Sequence, residues 1–363
     1  MPPDLPTPAI LIDGPTVRRN IEKMARYAKR HNLRLRPHTK THKSTMVAQM
    51  QLEEGAAGLT VAKAGEAEVM AEVAEDVLVA YPAVDARRCQ ALATLARKRT
   101  VRVAVDSAAA VDALSAAASS AGSRIGVLVD LDVGLHRTGV QTPDEALALA
   151  EHASRAPSVR LDGLFFYPGH IGGPPENQPR QLAAVEARLA EALALWKLKG
   201  LEARIVSGGS TPTALQSHLV RGTTEIRPGT YVFHDMNGVH GGFATLDDCA
   251  ARVVATVVST AVPGQFVVDA GSKTLTMDRC GPAPDSGHGL VVEYPDAKIV
   301  KLTEEHGQVD VSQSARKPKV GERVTIVPNH ICPCINLQDR VWWQDDDGEP
   351  PRVLPVDARG RVH

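Results

Sequence analysis

At 363 residues the chain is longer than one average domain, and with 43% hydrophobic and 23% charged residues it has an ordinary globular composition. Its formal net charge of −1 gives no electrostatic ground for a nucleic-acid or anionic-membrane partner. No apolar run reaches spanning length, Met1-Pro2-Pro3-Asp4 does not open like a signal peptide, and the five cysteines are odd in number and sparse, so a cytoplasmic protein without a disulfide framework is expected.

In chain order, a helix comes first. Pro15 suits a first helical position, and Val17, Ile21, Met24, Ala25 and Ala28 form one apolar stripe. Strand and helix signals then alternate with short connections. The strands are expected at 33–36, 58–62, 77–81, 101–106, 125–132, 161–167, 203–207 and 225–227. The helices between them are expected at 44–54, 64–73, 85–97, 107–121, 143–153, 178–199 and 211–219. Ile125-Gly126-Val127-Leu128-Val129 is a continuous apolar run, as a strand buried on both faces should be. Eight such pairs fit a closed (β/α)8 TIM-type barrel. A doubly wound open sheet is the alternative, but no dinucleotide fingerprint follows the first strand.

From about Ala250 the pattern changes. Runs at 252–258, 265–269, 290–293, 298–302, 323–327 and 340–343 are short and rich in β-branched residues, with no helical stripe between them. A second, mainly antiparallel β domain is expected there. The division is read as a barrel over 14–240 and a β domain over 241–363, the latter joined by a strand at 7–13.

Functional groups of a barrel gather where its strands end. The first strand runs into Arg36-Pro37-His38-Thr39-Lys40-Thr41-His42-Lys43. A lysine at a barrel mouth can form a Schiff base with an aldehyde if neighbouring cations and burial lower its pKa. A solvated basic loop is the plain alternative for these eight residues. Strand seven ends in Ser207-Gly208-Gly209-Ser210-Thr211, and strand eight runs into Arg227-Pro228-Gly229-Thr230. Loops after these two strands are the usual phosphate site of a barrel, and a helix starting near Thr211 would add a favourable dipole. An ordinary turn would read the same. Lysine and phosphate cup together point to pyridoxal phosphate (PLP).

The pattern resembles the barrel-type PLP enzymes, and within them the D-threonine aldolase and D-serine dehydratase group. The resemblance spans nearly the whole chain. It rests on Thr7-Pro8, the Arg36–Lys43 run, Asp132-Val133-Gly134 with Arg137, Ser207-Gly208-Gly209, Val268-Asp269-Ala270-Gly271, Glu305-His306-Gly307 and Pro328-Asn329-His330-Ile331-Cys332-Pro333. It implies an alanine-racemase-like architecture, with Lys40 carrying the Schiff base and Lys43 a surface or outer cation. Arg137 is expected near the phenolic oxygen and Tyr167 against the ring. Ser207, Gly208, Gly209, Gly229 and Thr230 would surround the phosphate. Arg227 would face the ring nitrogen, as the arginine before Pro-Gly does in alanine racemases.

His330 and Cys332 lie at i and i+2, one face of an extended segment, and imidazole plus thiolate suits zinc, less well manganese. A packed histidine and a free thiol would look alike in isolation; the resemblance makes the pair a divalent-metal site. Cys334, beyond the bend expected at Pro333, is read as structural. His170, beside glycines at a strand end, is a candidate base or a stacking residue. His136 reads as a loop histidine, and Trp342 and Trp343 as core and rim of the β domain.

The implied activity is a lyase acting on β-hydroxy-D-amino acids, with D-threonine aldolase first (D-threonine to glycine and acetaldehyde). The rival is a D-serine or D-threo-3-hydroxyaspartate dehydratase. Racemisation is disfavoured because no matching tyrosine motif is found in the β domain. A non-catalytic PLP carrier and a barrel enzyme without PLP are the remaining alternatives. A homodimer is expected by analogy.

Overall fold

A computed structural model describes residues 5–346 and 349–363; Met1–Asp4, on which the signal-peptide reading falls, lie outside the described residues. The chain divides into two compact units. One comprises Glu22–Lys40, Thr45–Gly229 and Gly360–His363, the other Met1–Ile21, Thr41–Ser44 and Thr230–Arg359.

Strand β1 (Ala9–Asp13) belongs to the second unit. In the first, eight parallel strands follow: β2 (Arg34–Leu35), β3 (Leu59–Val61), β4 (Asp76–Val79), β5 (Thr100–Val105), β6 (Ile125–Asp130), β7 (Val159–Phe165), β8 (Ile205–Gly208) and β9 (Glu225–Ile226). Their order is β2-β9-β8-β7-β6-β5-β4-β3. The two ends meet through a parallel bridge between His38 and Thr60, where the Thr60 N–H donates to the Pro37 carbonyl at 2.8 Å. All six residues of β6 are buried, as its apolar run requires. The helices outside have readable ends. Thr142 and Glu145 make a capping box on Pro143–Arg155, and Ser107 caps Ala108–Ala121, which stops at left-handed Gly122.

The barrel interior is layered. Leu78, Ala104, Leu128, Phe165 and Ile205 form an apolar cluster, with Ala80 and Tyr167 against it. Near the strand starts lies a layer of charge. Arg36, completely buried, contacts Asp76 at 2.7 Å and Glu225 at 2.8 Å. Arg102 bridges Asp76 and Asp162, and Arg160 also holds Asp162. Gly126 is needed there: a Cβ would sit 2.3 Å from Asp162 Oδ2.

The helix expected at 211–219 is instead a 3-10 segment, Ala214–Leu219. Local side-chain bonds compete with an α-ladder at its start. The Ser210 N–H donates to Thr213 Oγ1 at 3.3 Å, and the Ser217 hydroxyl donates to the Thr213 carbonyl at 3.1 Å. No α-helix therefore starts near Thr211 to supply a dipole at this strand end.

The second unit holds a nine-stranded sheet. Besides β1 it contains β10 (Ala251–Ser259), β11 (Gln265–Val268), β12 (Leu290–Val291), β13 (Lys298–Leu302), β14 (Gly307–Asp310), β15 (Arg323–Val327), β16 (Arg340–Gln344) and β17 (Arg352–Pro355). All pairings are antiparallel except β1 with β16. Trp343 is buried in it, and Trp342 packs on the cluster of Leu5, Ala9 and Val254. Contrary to the sequence reading, short helices interrupt the strands: Ser272–Leu275 and Ile331–Asn336. Among the described residues, no helix is long and apolar enough to cross a membrane.

Candidate active site

Lys40 lies in a 3-10 turn, Thr39–Thr41, just past β2, and is half-buried. The turn is fixed by its neighbours. The Thr39 hydroxyl donates to the Thr60 carbonyl at 3.2 Å, the Thr60 hydroxyl to the Arg36 carbonyl at 2.9 Å, and the Lys40 N–H to His38 Nδ1 at 3.4 Å. Lys43 is buried rather than on the surface, at a positive φ of 52°, and its carbonyl accepts the Ala358 N–H. His42 is buried too, its Nδ1 accepting the Ser44 N–H at 3.1 Å.

Across the strand ends, Gly208 and Gly209 offer the bare backbone that an anion requires. A Cβ on Gly208 would enter the Phe166 ring at 1.9 Å, and Gly209 has φ +85°. Ser210 follows them, buried, with its hydroxyl 3.0 Å from that of Thr213. Ser207 does not offer its side chain to a phosphate. Its hydroxyl donates to Glu225 Oε1 at 2.7 Å inside the barrel, because at this strand position the side chain points into the charge layer. The Gly229 N–H donates to Thr211 Oγ1 at 3.2 Å.

Arg227 is the most unusual group in this unit. It is buried, its Nη2 donates to the Phe166 carbonyl at 2.7 Å, and its guanidinium lies 3.7 Å from the Phe165 ring centre. Its Nε is buried with no hydrogen-bond partner. Burial pushes its pKa down to about 10, opposed by Glu225 and Asp130, so it stays charged at neutral pH. An orphaned buried donor of this kind is costly unless something completes it. A pyridine nitrogen would do so, and in that respect these residues fit PLP. Asp130, at the end of β6, accepts the Thr138 hydroxyl at 2.9 Å, and burial raises its pKa to about 6.

Arg137 is exposed and lies 4.9 Å from the Tyr167 ring centre, so these two expected ring neighbours do meet. Tyr167 needs Gly169 beside it: a Cβ there would be 2.2 Å from the phenol ring. His170 is exposed and sits over Gly134. Partial burial holds its pKa below the ordinary imidazole value, against the pull of Asp132. His136, also exposed, pairs through Nδ1 with Asp132 at 2.7 Å.

The second unit carries His330 and Cys332. The segment is not extended. His330 stands at the N-cap position of the helix Ile331–Asn336 without a side-chain capping bond, and the helix accommodates Pro333 in its first turn, where a missing N–H costs nothing. The two side chains still meet. Burial opposes the charge on His330, yet the Cys332 thiolate, Asp235 and Asp278 raise its pKa to about 9. Burial would raise that of Cys332, but His330 and Thr41 bring it below the usual thiol value. Cys332 Sγ lies 3.2 Å from the Thr41 hydroxyl and 3.6 Å from that of Thr230, the residue expected at the phosphate. His330 Nδ1 faces Asp278 Oδ2 at 2.9 Å, which leaves Nε2 for a ligand bond.

Nitrogen plus thiolate, with a carboxylate behind the imidazole, suits zinc. Among the described residues, no third His, Cys, Asp or Glu joins them in a metal-holding group. Cys334 is buried, its thiol donating to the His330 carbonyl at 3.2 Å, and all five cysteines are free thiols. Sequence reasoning missed Asp278, Asp235, Asp130 and Thr41. Asp278 stands 52 residues from His330 with no spacing pattern to announce it.

Residues 12–237 match the family described as "Alanine racemase, N-terminal domain", and residues 250–343 match the "Putative serine dehydratase domain". The chain is 33% identical to a D-threonine aldolase of Arthrobacter sp, covering 98% of this chain and 93% of that protein. It is 35% identical to the D-threo-3-hydroxyaspartate dehydratase of Delftia sp. (strain HT23), over 90% of this chain and 91% of that one. The crystal structure of D-threonine aldolase from Filomicrobium marinum superposes with a TM-score of 0.92 at 32% identity, covering 99% of this chain and 97% of that one. The chain therefore belongs to the D-threonine aldolase and D-serine dehydratase family of barrel-type PLP-dependent enzymes.

Proposed function

We propose that the chain is a PLP- and divalent-metal-dependent lyase of β-hydroxy-D-amino acids, first of all a D-threonine aldolase. The cofactor part would be the barrel over 14–240, and the metal part residues 241–363 with the strand at 7–13. We also propose a homodimer in the cytoplasm. The observation that carries the reading is Arg227, a buried guanidinium whose Nε is left without a partner.

When bound, PLP supplies an aldehyde for the substrate amine and a π-system for the electrons of a broken Cα bond, and a metal supplies a Lewis acid. The chain's own groups have these roles. Lys40 Nζ is the amine that anchors the cofactor and yields it to the substrate. Arg227 Nε would donate to the ring nitrogen and, as a group that stays charged itself, would leave that nitrogen unprotonated. This makes a weaker electron sink and places more of the burden on the substrate hydroxyl. Tyr167 and Arg137 would flank the ring, and the backbones of Gly208, Gly209, Gly229 and Thr230 would receive the phosphate. His330 Nε2 and Cys332 Sγ would hold the metal ion.

His170, neutral at physiological pH, accepts the proton of the β-hydroxyl. The Cα–Cβ electron pair then stays with Cα as the aldehyde departs, and a proton returned to Cα gives glycine. The dehydratase reading is favoured by Cys332 itself, since a thiolate ligand selects zinc. There Lys40 would remove the α-proton and hydroxide would leave from Cβ.

Incubation with D-threonine separates the two readings. Glycine and acetaldehyde in equal amounts are expected, lost in Lys40→Ala and suppressed by EDTA. 2-Oxobutyrate without glycine would place the dehydratase first. Sedimentation tests the dimer: full activity in a monomer would overturn it.

A further inference from the structure

His330 is not held by Asp278 alone; two adjacent residues grip one loop residue. The Asn329 side chain, buried, donates to the Asp278 backbone carbonyl at 3.0 Å and to the Gly287 carbonyl at 2.8 Å. His330, next in the chain, meets the Asp278 carboxylate at 2.9 Å. Asn329 is anchored in turn, its carbonyl accepting the Asn237 side-chain amide at 2.6 Å and the Asn237 N–H at 3.2 Å. The loop enters through Thr276, a non-glycine residue at φ 63°, whose hydroxyl accepts the Asp278 N–H at 3.3 Å. A side-chain amide on Asp278's backbone and a left-handed residue two positions before it define where its carboxylate stands.

A half-exposed carboxylate–histidine pair contributes little to stability by itself. Its side chains are 44% and 42% exposed, so a purely structural purpose explains little of this investment in holding the loop. Orientation explains it better. A carboxylate facing Nδ1 keeps the proton on that nitrogen, so Nε2, on the far side of the ring, is the nitrogen that gives up its proton when a metal binds.

We infer that Asp278 is the positioning residue of the metal site, fixing His330 through Nδ1 so that Nε2 is presented to a divalent metal beside Cys332 Sγ. The inference rests on the metal reading proposed above. It adds that metal affinity depends on a residue that touches neither metal nor substrate.

The test uses cobalt(II), whose charge-transfer band with a thiolate reports the bond to Cys332 directly. Cobalt is titrated against a competing chelator into wild type, Asp278→Ala, Asp278→Asn and Cys332→Ser, each also checked by thermal unfolding without metal. Asp278→Ala is expected to bind cobalt roughly 10–100-fold more weakly, with its metal-free unfolding temperature unchanged. Asp278→Asn keeps an oxygen acceptor for Nδ1–H and should fall between Asp278→Ala and wild type. Cys332→Ser should lose the band. Wild-type affinity in Asp278→Ala, with the band present in wild type, overturns the inference and leaves the metal reading standing. A wild type that takes up no cobalt overturns the metal reading and this inference with it. Should Asp278→Ala fail to fold, Asp278→Asn decides: several-fold weaker binding supports the inference, and none overturns it.

Discussion

The two ends of the barrel interior treat buried charge in opposite ways. At the strand starts, Arg36, Arg102 and Arg160 each meet a carboxylate of Asp76, Asp162 or Glu225. At the strand ends, Arg227 is buried with its Nε unpartnered, and Asp130 is pushed toward its neutral form. Burying charge is expensive at either end. At one end the protein offsets that cost internally. At the other it leaves the cost standing, which marks the place where something else is meant to complete the arrangement.

The sharpest way to break this comparison is Glu225→Ala. It leaves Arg36 short of a carboxylate and the Ser207 hydroxyl without its acceptor. A loss of about 3–5 kcal/mol is expected, read from the urea midpoint. An unchanged midpoint would show that the floor is not held by its charges. Asp130→Asn should act in the other direction. Its carboxyl titrates at about 6 in the folded chain against an ordinary 3.8. The folded state therefore keeps the proton that the unfolded chain gives up. That contribution is fully present below pH 3.8 and is lost as pH rises through about 6, a change of roughly 3 kcal/mol. The asparagine variant keeps a partner for Thr138 and should be more stable than wild type at pH 7, with a flatter profile between pH 4 and 6. Equal slopes in the two proteins would refute the assignment. Gly208→Ala is the mildest change. A methyl group directed at the Phe166 ring should cost about 1–3 kcal/mol and weaken PLP retention on dialysis; retention at wild-type levels would show that the cup tolerates a side chain.

Much of the fold was legible because barrel strands are buried on both faces and read as apolar runs. Ile125–Asp130 is one such run, and its observed bounds differ from expectation only at the end. The β domain was harder. Gly307–Asp310 and Arg352–Pro355 are four residues each and partly polar, so no periodicity separated them from loops. Among the candidate site residues, Gly208 and Gly209 stood out through their glycine run, while Lys40 and Arg227 were singled out by the family resemblance. Ser207 looked like part of the same run, but strand alternation turned its hydroxyl inward to Glu225. The acidic partners stayed hidden because each is a single residue brought in by distant chain, as Asp278 is to His330.

The ionic floor also constrains how such an enzyme can change. Residues 36, 76, 102, 162 and 225 come from five strands or their immediate flanks, so altering one leaves an opposite charge stranded on another. A library that randomises these positions singly should be depleted of folded members. One confined to the loops beyond the strand termini should keep most of them, which makes the floor a chassis on which new substrate preferences can be selected.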